Sequence, residues 1–546
     1  MTPLLRPLAG LALRTGRRPT HAGPALGLAL LLALGACGGG GGDGGDAGGN
    51  EPLPNGDQPF TDRTAYSSQP GASLASAEEG TATTHHTLTL NGSAIAYTAK
   101  AGHLTASDLA TGQPKASFFY VAYTADNQAA ATRPLTFFYN GGPGSASVWL
   151  HLGSFGPKRL VTGIPGTTAA TPFPLVDNAE SLLDTTDLVF VDAVGSGLSQ
   201  AIAPNTNATL WGVDADAAAF RDFIRRYVGV NGRAASPTYL FGESYGTARS
   251  AVLANLMALG GQPLAGVVLQ SAVLDYNSNC GVVEVISTSC EGYLPTYSAI
   301  GSYYNLVNPP RSVLSVFMQE MRDYTVASYA PAVGALLSAG TPPAAHLPPE
   351  LNSRTGIATS LWQSRFNLDP GSFQYNLLPS ALIGRYDGRV SAPFASPLAR
   401  EGDPSSTVIG ASFASAIDSH LRDTLRYTAS STYVLLSDAI ASWNFTHDGL
   451  PLPDTVPDLA SAMLLNPALQ VFAVSGYHDL ATPFYTTELD LARLGASPQV
   501  HLRNYAGGHM TYLDDTSRAL QKADLRAFYQ GSLVLRTAAA AAKGGL

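Results

Sequence analysis

Charged residues and cysteines are both scarce in this sequence. Only 13% of its 546 residues are charged, and the formal net charge is −9. Nucleic-acid binding needs a basic face that neutralises phosphates, so this balance disfavours nucleic acid as a partner. Of the three cysteines, only Cys280 and Cys290 lie close together, with no histidine between them. Two cysteines do not complete a metal site, so this pair does not predict bound metal.

The apolar run near the N-terminus, from Ala25 to Leu34, is too short to span a bilayer. It follows four arginines and has the length of the hydrophobic part of a signal peptide. The segment from Leu34 to Cys37 (Leu-Gly-Ala-Cys) resembles the lipobox of bacterial lipoproteins, in which the signal is cut before a cysteine that becomes lipidated. We therefore predict a signal peptide over residues 1–36 and lipidation of Cys37. The alternative is a stray thiol after an uncleaved segment.

Residues 37–80 are rich in Gly, then in Pro and Ser, and are predicted to form a flexible tether. We expect an exported protein that contacts the membrane of the bacterial envelope only through the lipid on Cys37. The residue after this cysteine is Gly38 rather than the Asp that marks inner-membrane retention in some bacteria, which favours the outer membrane. In such an oxidising compartment Cys280 and Cys290 are expected to form a disulfide, with two buried free thiols as the alternative.

The segment from Gly242 to Gly246 is a G-x-S-x-G motif (Gly-Glu-Ser-Tyr-Gly). The apolar run from Pro237 to Phe241 predicts a buried strand before it, and Ala248 to Leu259 predicts a helix after it. A strand, a sharp turn and a helix form the context of a nucleophile elbow, with Ser244 as the exposed nucleophile. A chance serine in a glycine-rich loop does not account for the two flanking elements.

Buried strands alternate with helices on either side of this motif. The run from Leu135 to Tyr139 predicts a strand that leads into the glycine-rich segment from Asn140 to Gly144. Asp187 to Asp192 predicts another strand, and Val213 to Val230 carries apolar residues at helical spacing. This alternation predicts a mainly parallel central sheet flanked by helices.

An acid and a histidine follow two late strands. Asp479 comes shortly after the run from Leu469 to Val474, and His509 lies in a glycine-rich loop after Val500 to Tyr505. Ser, Asp and His at successive strand ends follow the chain order of α/β-hydrolase triads. His478 is a rival base, but a sequence neighbour of Asp479 cannot easily face that acid.

These blocks resemble the serine carboxypeptidases, the α/β-hydrolases of peptidase family S10. The resemblance covers roughly residues 85–535 and rests most on Asn-Gly-Gly-Pro-Gly at 140–144 and Gly-Glu-Ser-Tyr-Gly at 242–246. It implies the α/β-hydrolase fold, with Ser244 as nucleophile, His509 as base and Asp479 orienting the base. The N–H groups of Gly142 and Tyr245 are then expected to bind the oxyanion. This chemistry requires neither a metal nor an organic cofactor.

The same resemblance assigns a substrate-binding group. In that family the C-terminal carboxylate of a peptide is held by an Asn, a Gly and two Glu side chains that share protons at acid pH. Asn140, Gly141 and Glu243 match three of these residues. Counting to Gly156-Pro157 places Ser154 where the second Glu is expected. We therefore expect a weaker preference for free carboxylates and activity that extends towards neutral pH.

The leading functional hypothesis is a serine carboxypeptidase that removes C-terminal residues from peptides through an acyl-enzyme. Ser154 favours the alternative, an esterase or acyltransferase on the same scaffold, because a fold does not determine its substrate. A non-catalytic binding protein has no need of Ser, Asp and His together.

The strand and helix alternation stops between two parts of the predicted catalytic domain, residues 81–274 and 467–546. We predict that residues 275–466 form a large, mostly helical cap insertion that shapes specificity. Arg385, Asp387 and Arg389 within it predict an ion-pair cluster at the surface.

Overall fold

A ten-stranded mixed sheet forms the centre of the protein. The computed structural model describes residues 56–76, 78–168, 172–281 and 288–533. The predicted signal peptide, the lipidation site at Cys37 and residues 38–55 of the predicted tether lie outside the described residues. The strands are β1 (Phe60–Asp62), β2 (Thr81–Leu90), β3 (Ser93–Ser107), β4 (Pro114–Ala125), β5 (Leu135–Tyr139), β6 (Lys158–Leu160), β7 (Leu175–Asp177), β8 (Asp187–Val191), β9 (Gln200–Ala201), β10 (Thr238–Glu243), β11 (Gly266–Gln270), β12 (Ala381–Ile383), β13 (Ser391–Pro393), β14 (Tyr427–Ala429), β15 (Gln470–Gly476) and β16 (Val500–Tyr505).

Helices cover both faces of this sheet and form most of the insertion. Within the described residues, no helix combines the length and the apolar character needed to cross a membrane. The α-helices are α1 (Val148–Gly153), α2 (Val213–Val230), α3 (Tyr245–Leu259), α4 (Leu294–Tyr303), α5 (Leu314–Tyr324), α6 (Ala330–Ala339), α7 (Leu347–Thr355), α8 (Thr359–Ser364), α9 (Pro370–Asn376), α10 (Pro404–Ser419), α11 (Val456–Leu465), α12 (Phe484–Ala492) and α13 (Asp515–Tyr529).

The order of strands across the sheet is β16-β15-β11-β10-β5-β8-β4-β3-β2, with β9 paired to β4. The six strands from β16 to β8 pair in parallel. Strands β4, β3 and β2 extend the sheet in antiparallel fashion. The predicted mainly parallel sheet is therefore confirmed, with an antiparallel meander at one edge.

The strand order reverses at β5. From β5 the chain runs to β8 on one side, and it later returns to β10 on the other side. The loops that follow β5 and β10 therefore leave the same edge of the sheet and diverge, which opens a crevice between them. Both the Asn140 to Gly144 segment and Ser244 lie in this crevice.

Alternating side chains of the central strands fill two separate cores. Leu135, Phe137 and Tyr139 of β5 face the core formed with α2, α3 and α11. Phe138 faces the opposite core, which includes side chains of α1, α10 and α13. Strands buried on both faces read as continuous apolar runs, which is why they were recognisable in the sequence.

The insertion is mostly helical, as predicted, but its boundaries differ from residues 275–466. Helices α4 to α9 contribute to a core of their own, the insertion core, which contains Tyr297 and Trp362 and contacts Phe484 of α12. In contrast, α10 and α11 belong to the two cores beside the sheet, through side chains such as Phe413 and Leu459. The later part of the predicted cap thus packs with the central sheet.

The predicted tether also extends too far along the chain. Strand β1 pairs in parallel with β14, and Leu74 forms a bridge with Ile202. The buried Asp62 carboxylate accepts hydrogen bonds from Tyr66 (2.9 Å) and Tyr427 (2.6 Å). Composition alone predicted a tether here because these long-range partners are not visible in local sequence.

The predicted disulfide is confirmed. Cys280 and Cys290 are bonded, with their Cα atoms 5.3 Å apart. Cys290 is buried at the start of the helical insertion, where its N–H donates to the Asn367 side chain (2.8 Å). The disulfide therefore closes a short loop at the point where the chain leaves the sheet and enters the insertion.

His447 joins the segment before α11 to two neighbouring helices. Its Nδ1 lies 2.7 Å from Asp214 of α2, and its Nε2 lies 2.8 Å from Asp458 of α11. The hydrogen bond to Asp458 outweighs burial and, together with Asp214, raises the pKa of His447 to about 9. Asp448 lies nearby, so three possible metal ligands come within 4.8 Å of one another. Both His447 nitrogens already face carboxylates, and ion pairing accounts for the cluster.

We expect His447→Gln to destabilise the fold at neutral pH but not at high pH. Because the pKa of His447 is raised above the unfolded value of about 6.5, its stabilisation is complete below that value and is lost as pH rises through about 9. Urea unfolding at several pH values measures this, with the exposed His346→Gln as control. An equal loss of stability at every pH would contradict the prediction.

Candidate active site

Ser244 occupies a strained turn between β10 and α3. Its backbone has φ 59° and ψ −129°, a region that residues other than glycine rarely adopt. The two flanking glycines make the turn possible. A Cβ on Gly242 would collide with the carbonyl oxygen of Gly246, and one on Gly246 would lie 3.0 Å from the Tyr139 carbonyl oxygen. This backbone is that of a nucleophile elbow.

His509 and Asp479 are in direct contact. His509 Nδ1 lies 2.8 Å from Asp479 Oδ2. The other carboxylate oxygen accepts hydrogen bonds from the N–H groups of Ala481 (2.8 Å) and Thr482 (3.1 Å), and the Thr482 hydroxyl donates to Oδ2 (2.9 Å). Both side chains are buried, and Asp479 is fully enclosed. The carboxylate is thus held in one orientation towards the imidazole.

The backbone of His509 is fixed from two directions. Its N–H donates to the Tyr386 carbonyl (2.6 Å), and its carbonyl accepts from the Ser271 hydroxyl (2.5 Å). Burial acts to lower the pKa of His509, but the charge and hydrogen bond of Asp479 outweigh it, so the pKa lies above its usual value. The imidazolium that forms after proton uptake is therefore favoured at this position.

Ser244 and His509 line the same cavity at the crevice between β5 and β10. The cavity is also lined by the apolar side chains of Trp149, Ile409, Leu436 and Met510 and by Tyr386. Its polar lining comprises Asn140, Gly141, Gly142, Ser145, Glu243 and Ser406. Apart from His509, Glu243 is the lining residue that can ionise near neutral pH. The cavity thus suits a mainly apolar ligand with one polar end.

Gly142 lines this cavity, and Tyr245 directly follows Ser244, which also lines it. Gly142 has φ +103°, a conformation that favours glycine. Tyr245 is the first residue of α3, where N–H groups have no acceptor within the helix. A Cβ on Gly141 would collide with the Tyr245 nitrogen, so the two loops pack in close contact. The arrangement is consistent with the oxyanion site predicted from the sequence.

Asn140 and Glu243 form a hydrogen-bonded pair across the crevice. Asn140 Nδ2 donates to Glu243 Oε1 (2.8 Å), and the Leu150 N–H donates to Asn140 Oδ1 (3.1 Å). Burial raises the pKa of Glu243 to about 7, although the nearby His509 opposes this effect. Glu243 is therefore partly protonated at neutral pH, and its O–H can then donate to an anion.

Sequence reasoning did not find the buried support of this pair. Arg249 of α3 donates to the Asn140 carbonyl (2.8 Å) and to Asp216 of α2 (2.6 Å). Its guanidinium lies 4.3 Å from the centre of the Phe220 ring, and its side chain is fully buried. The signal available in the sequence was an arginine within the predicted helix, five residues after the elbow serine and among residues expected to be buried.

The predicted surface ion-pair cluster is wrong in its location. Asp387 and Arg389 form a two-pronged ion pair (2.9 and 2.7 Å) that is buried, 6% and 7% exposed. They belong to residues 384–390 between β12 and β13, here called the bracing loop. Its Arg385 carbonyl accepts from the Leu480 N–H (3.0 Å), beside Asp479. The Tyr386 ring lies 4.8 Å from the His509 ring.

Two other residues singled out from the sequence lie away from the cavity lining. His478 Nδ1 is 2.9 Å from the Ala506 carbonyl, and burial lowers its pKa to about 4. Ser154 is buried at the end of α1, and its hydroxyl donates to the Leu150 carbonyl (2.5 Å). Neither residue is part of the cavity that contains Ser244 and His509.

The mainly parallel sheet, the crevice at its strand ends and the elbow after β10 define an α/β-hydrolase fold. A family model described as serine carboxypeptidase (peptidase S10) matches residues 92–275, about a third of the chain. A search of curated protein sequences found no significant match. The family match covers the part of the chain with the β5 loop and the elbow.

Two similar solved structures are peptidases by their names. Kex1(delta)p, a prohormone-processing carboxypeptidase from Saccharomyces cerevisiae, has a TM-score of 0.50 at 14% identity, covering 81% of this chain and 93% of its own. A proline iminopeptidase from Mycobacterium smegmatis has a TM-score of 0.36 at 13% identity, covering 79% of this chain and 98% of its own. The observed sheet and the likeness to Kex1(delta)p confirm the predicted fold class, and the family match supports a relationship to serine carboxypeptidases.

We expect Asp479→Asn to reduce kcat for a neutral ester about 10⁴-fold, because His509 loses the acceptor that fixes its tautomer. Loss of the Asp479 charge also lowers the pKa of His509, so the acid limb of the residual activity moves to lower pH. The pH dependence of p-nitrophenyl acetate hydrolysis measures both effects. Asp490→Asn, which removes another buried carboxylate, on α12, is the matched control. A comparable rate loss in the control would assign the effect to folding.

Proposed function

We propose that the protein is a serine hydrolase of the serine carboxypeptidase type, which removes C-terminal residues from peptides through an acyl-enzyme. The observation that carries the proposal is the strained Ser244 elbow beside the His509–Asp479 pair, in a cavity that also contains the Asn140–Glu243 pair. The first pair supports acyl transfer, and the second supports binding of a carboxyl group.

In the proposed reaction, His509 removes the Ser244 proton as the serine oxygen attacks the scissile carbonyl. Asp479 stabilises the imidazolium. The N–H groups of Gly142 and Tyr245 bind the oxyanion, a contribution of about 3–4 kcal/mol per donor. His509 then protonates the leaving amine, and a water molecule activated by the same imidazole hydrolyses the acyl-enzyme. Each of these steps uses groups of the chain itself.

Recognition of a free carboxylate is assigned to Glu243 in its protonated form. An ionised Glu243 repels a substrate carboxylate, whereas the protonated side chain donates a hydrogen bond to it. Asn140 and Gly141 line the same part of the cavity. The pKa of about 7 at Glu243 places this switch near neutral pH, with burial as the largest cause of the rise.

A second candidate function is an esterase or acyltransferase on the same scaffold. The observation that favours it is Ser154, whose hydroxyl donates to the Leu150 carbonyl, at the position that the resemblance assigns to a second carboxyl. A site with one carboxyl group in place of two binds a free substrate carboxylate less selectively, so it also suits substrates with an uncharged end.

The two functions differ in their pH profiles. For a blocked dipeptide with a free carboxylate, we expect kcat/KM to fall on both sides of neutral pH, because His509 must be neutral and Glu243 protonated. For the corresponding methyl ester, the limb at higher pH should be absent. A fluorophosphonate probe should label the wild type but not Ser244→Ala. Equal profiles for both substrates would favour the esterase, and absence of labelling would contradict the hydrolase.

We further propose export and lipid anchoring in the bacterial envelope, on the sequence pattern around Cys37 alone. In a bacterial host, mass spectrometry of the mature protein should find an N-terminal lipidated Cys37. Cys37→Ser should abolish lipidation and release the protein from the membrane fraction, while Cys280→Ser should leave the lipid in place. An unmodified Cys37 thiol in the wild type would contradict this proposal.

A further inference from the structure

One oxygen of Glu243 remains without a hydrogen-bond partner. Oε1 accepts from Asn140, but Oε2 has none among the described residues and is shielded from solvent. A buried carboxylate oxygen without a hydrogen-bond partner lowers the stability of the fold, and by more than an unpaired neutral polar group does. The structure around Glu243 therefore needs a group that can satisfy this oxygen in at least one of its protonation states.

Tyr512 presents such a group. Its side chain is fully buried, and its hydroxyl likewise has no partner of normal hydrogen-bond geometry among the described residues. Glu243 raises the pKa of this hydroxyl and the Asn140 side chain opposes the rise, so both groups lie close to it. Two unsatisfied polar atoms that lie close together in a buried site need only a small displacement to form a hydrogen bond.

The position of the Tyr512 ring is fixed by the turn that follows His509. The Thr511 hydroxyl donates to Gln521 (2.7 Å), and Arg518 donates to the Tyr512 carbonyl (3.1 Å). A Cβ on Gly153 would lie 3.0 Å from the ring edge, so the ring packs against the end of α1. Tyr512 is not among the residues that line the cavity.

We propose that Tyr512 is a positioning residue for Glu243, and that its hydroxyl determines the pH at which Glu243 accepts a substrate carboxylate. When Glu243 is ionised, the hydroxyl donates to it. When Glu243 is protonated, its O–H is available to the carboxylate of the ligand. This inference rests on the proposed carboxypeptidase function.

The other groups around Glu243 bear on the same equilibrium. His509 favours the ionised form of Glu243, whereas the charge of Asp479 favours the protonated form. The hydroxyl of Tyr386 is a further titratable group nearby. A hydrogen bond from Tyr512 lowers the pKa of Glu243, in opposition to the larger effect of burial. Removing the hydroxyl therefore extends the protonated form to higher pH.

The test is Tyr512→Phe, compared with the wild type on a blocked dipeptide and on its amide. We expect the limb at higher pH to move up by roughly one unit for the dipeptide, in KM rather than in kcat. The amide, which carries no carboxylate, should show an unchanged profile. Tyr329→Phe, which removes a hydroxyl that donates to the Phe366 carbonyl in the insertion core, is the matched control.

A binding measurement separates this inference from the proposed function. Calorimetry of the same dipeptide with Ser244→Ala and with Ser244→Ala/Tyr512→Phe, at several pH values, should show the same upward shift without turnover. An unshifted limb in both assays, or equal losses for dipeptide and amide, overturns the role of Tyr512. Pronounced ester hydrolysis with no pH-dependent binding of the dipeptide overturns the carboxypeptidase proposal itself.

Discussion

The parallel pairing of β5 with β10 is the constraint on which the site depends. These strands pair from Leu135 with Thr238 to Tyr139 with Gly242, so the loops that follow them start side by side. The Asn140–Glu243 hydrogen bond then connects the two loops directly. A change of register between the strands would move the elbow, the Asn140 to Gly144 segment and Glu243 relative to one another.

Two buried charged side chains, Arg249 and Asp216, lie beneath this edge of the sheet and fix the start of the β5 loop. Arg249 connects the Asn140 carbonyl to Asp216, and its guanidinium lies among aromatic rings. A buried ion pair adds little net stability, but removal of one partner leaves an unpaired charge and is strongly destabilising. The Arg249–Asp216 pair therefore holds the β5 loop in position and adds little to the stability of the core.

Much of the architecture was predictable because it depends on local patterns. Strands buried on both faces appear as apolar runs, and Gly242 and Gly246 mark a tight turn in which a Cβ at Gly242 would collide with the backbone. Asp479 and His509 were singled out because Ser, Asp and His occur in that order along the chain, each after a predicted strand. Tyr512, Arg249 and the N-terminal pairing of β1 with β14 depend on contacts between residues far apart in sequence. Such contacts leave no periodic signal, and composition alone predicted a tether where a strand occurs.

The bracing loop has a consequence for how this protein can be altered. Because it hydrogen-bonds to the residues beside Asp479 and to His509 itself, the insertion is a structural component of the active centre rather than a removable lid. A shortened protein that lacked the bracing loop would lose the hydrogen bonds that hold the backbone of His509 and of Leu480, even with Ser244, Asp479 and His509 unchanged.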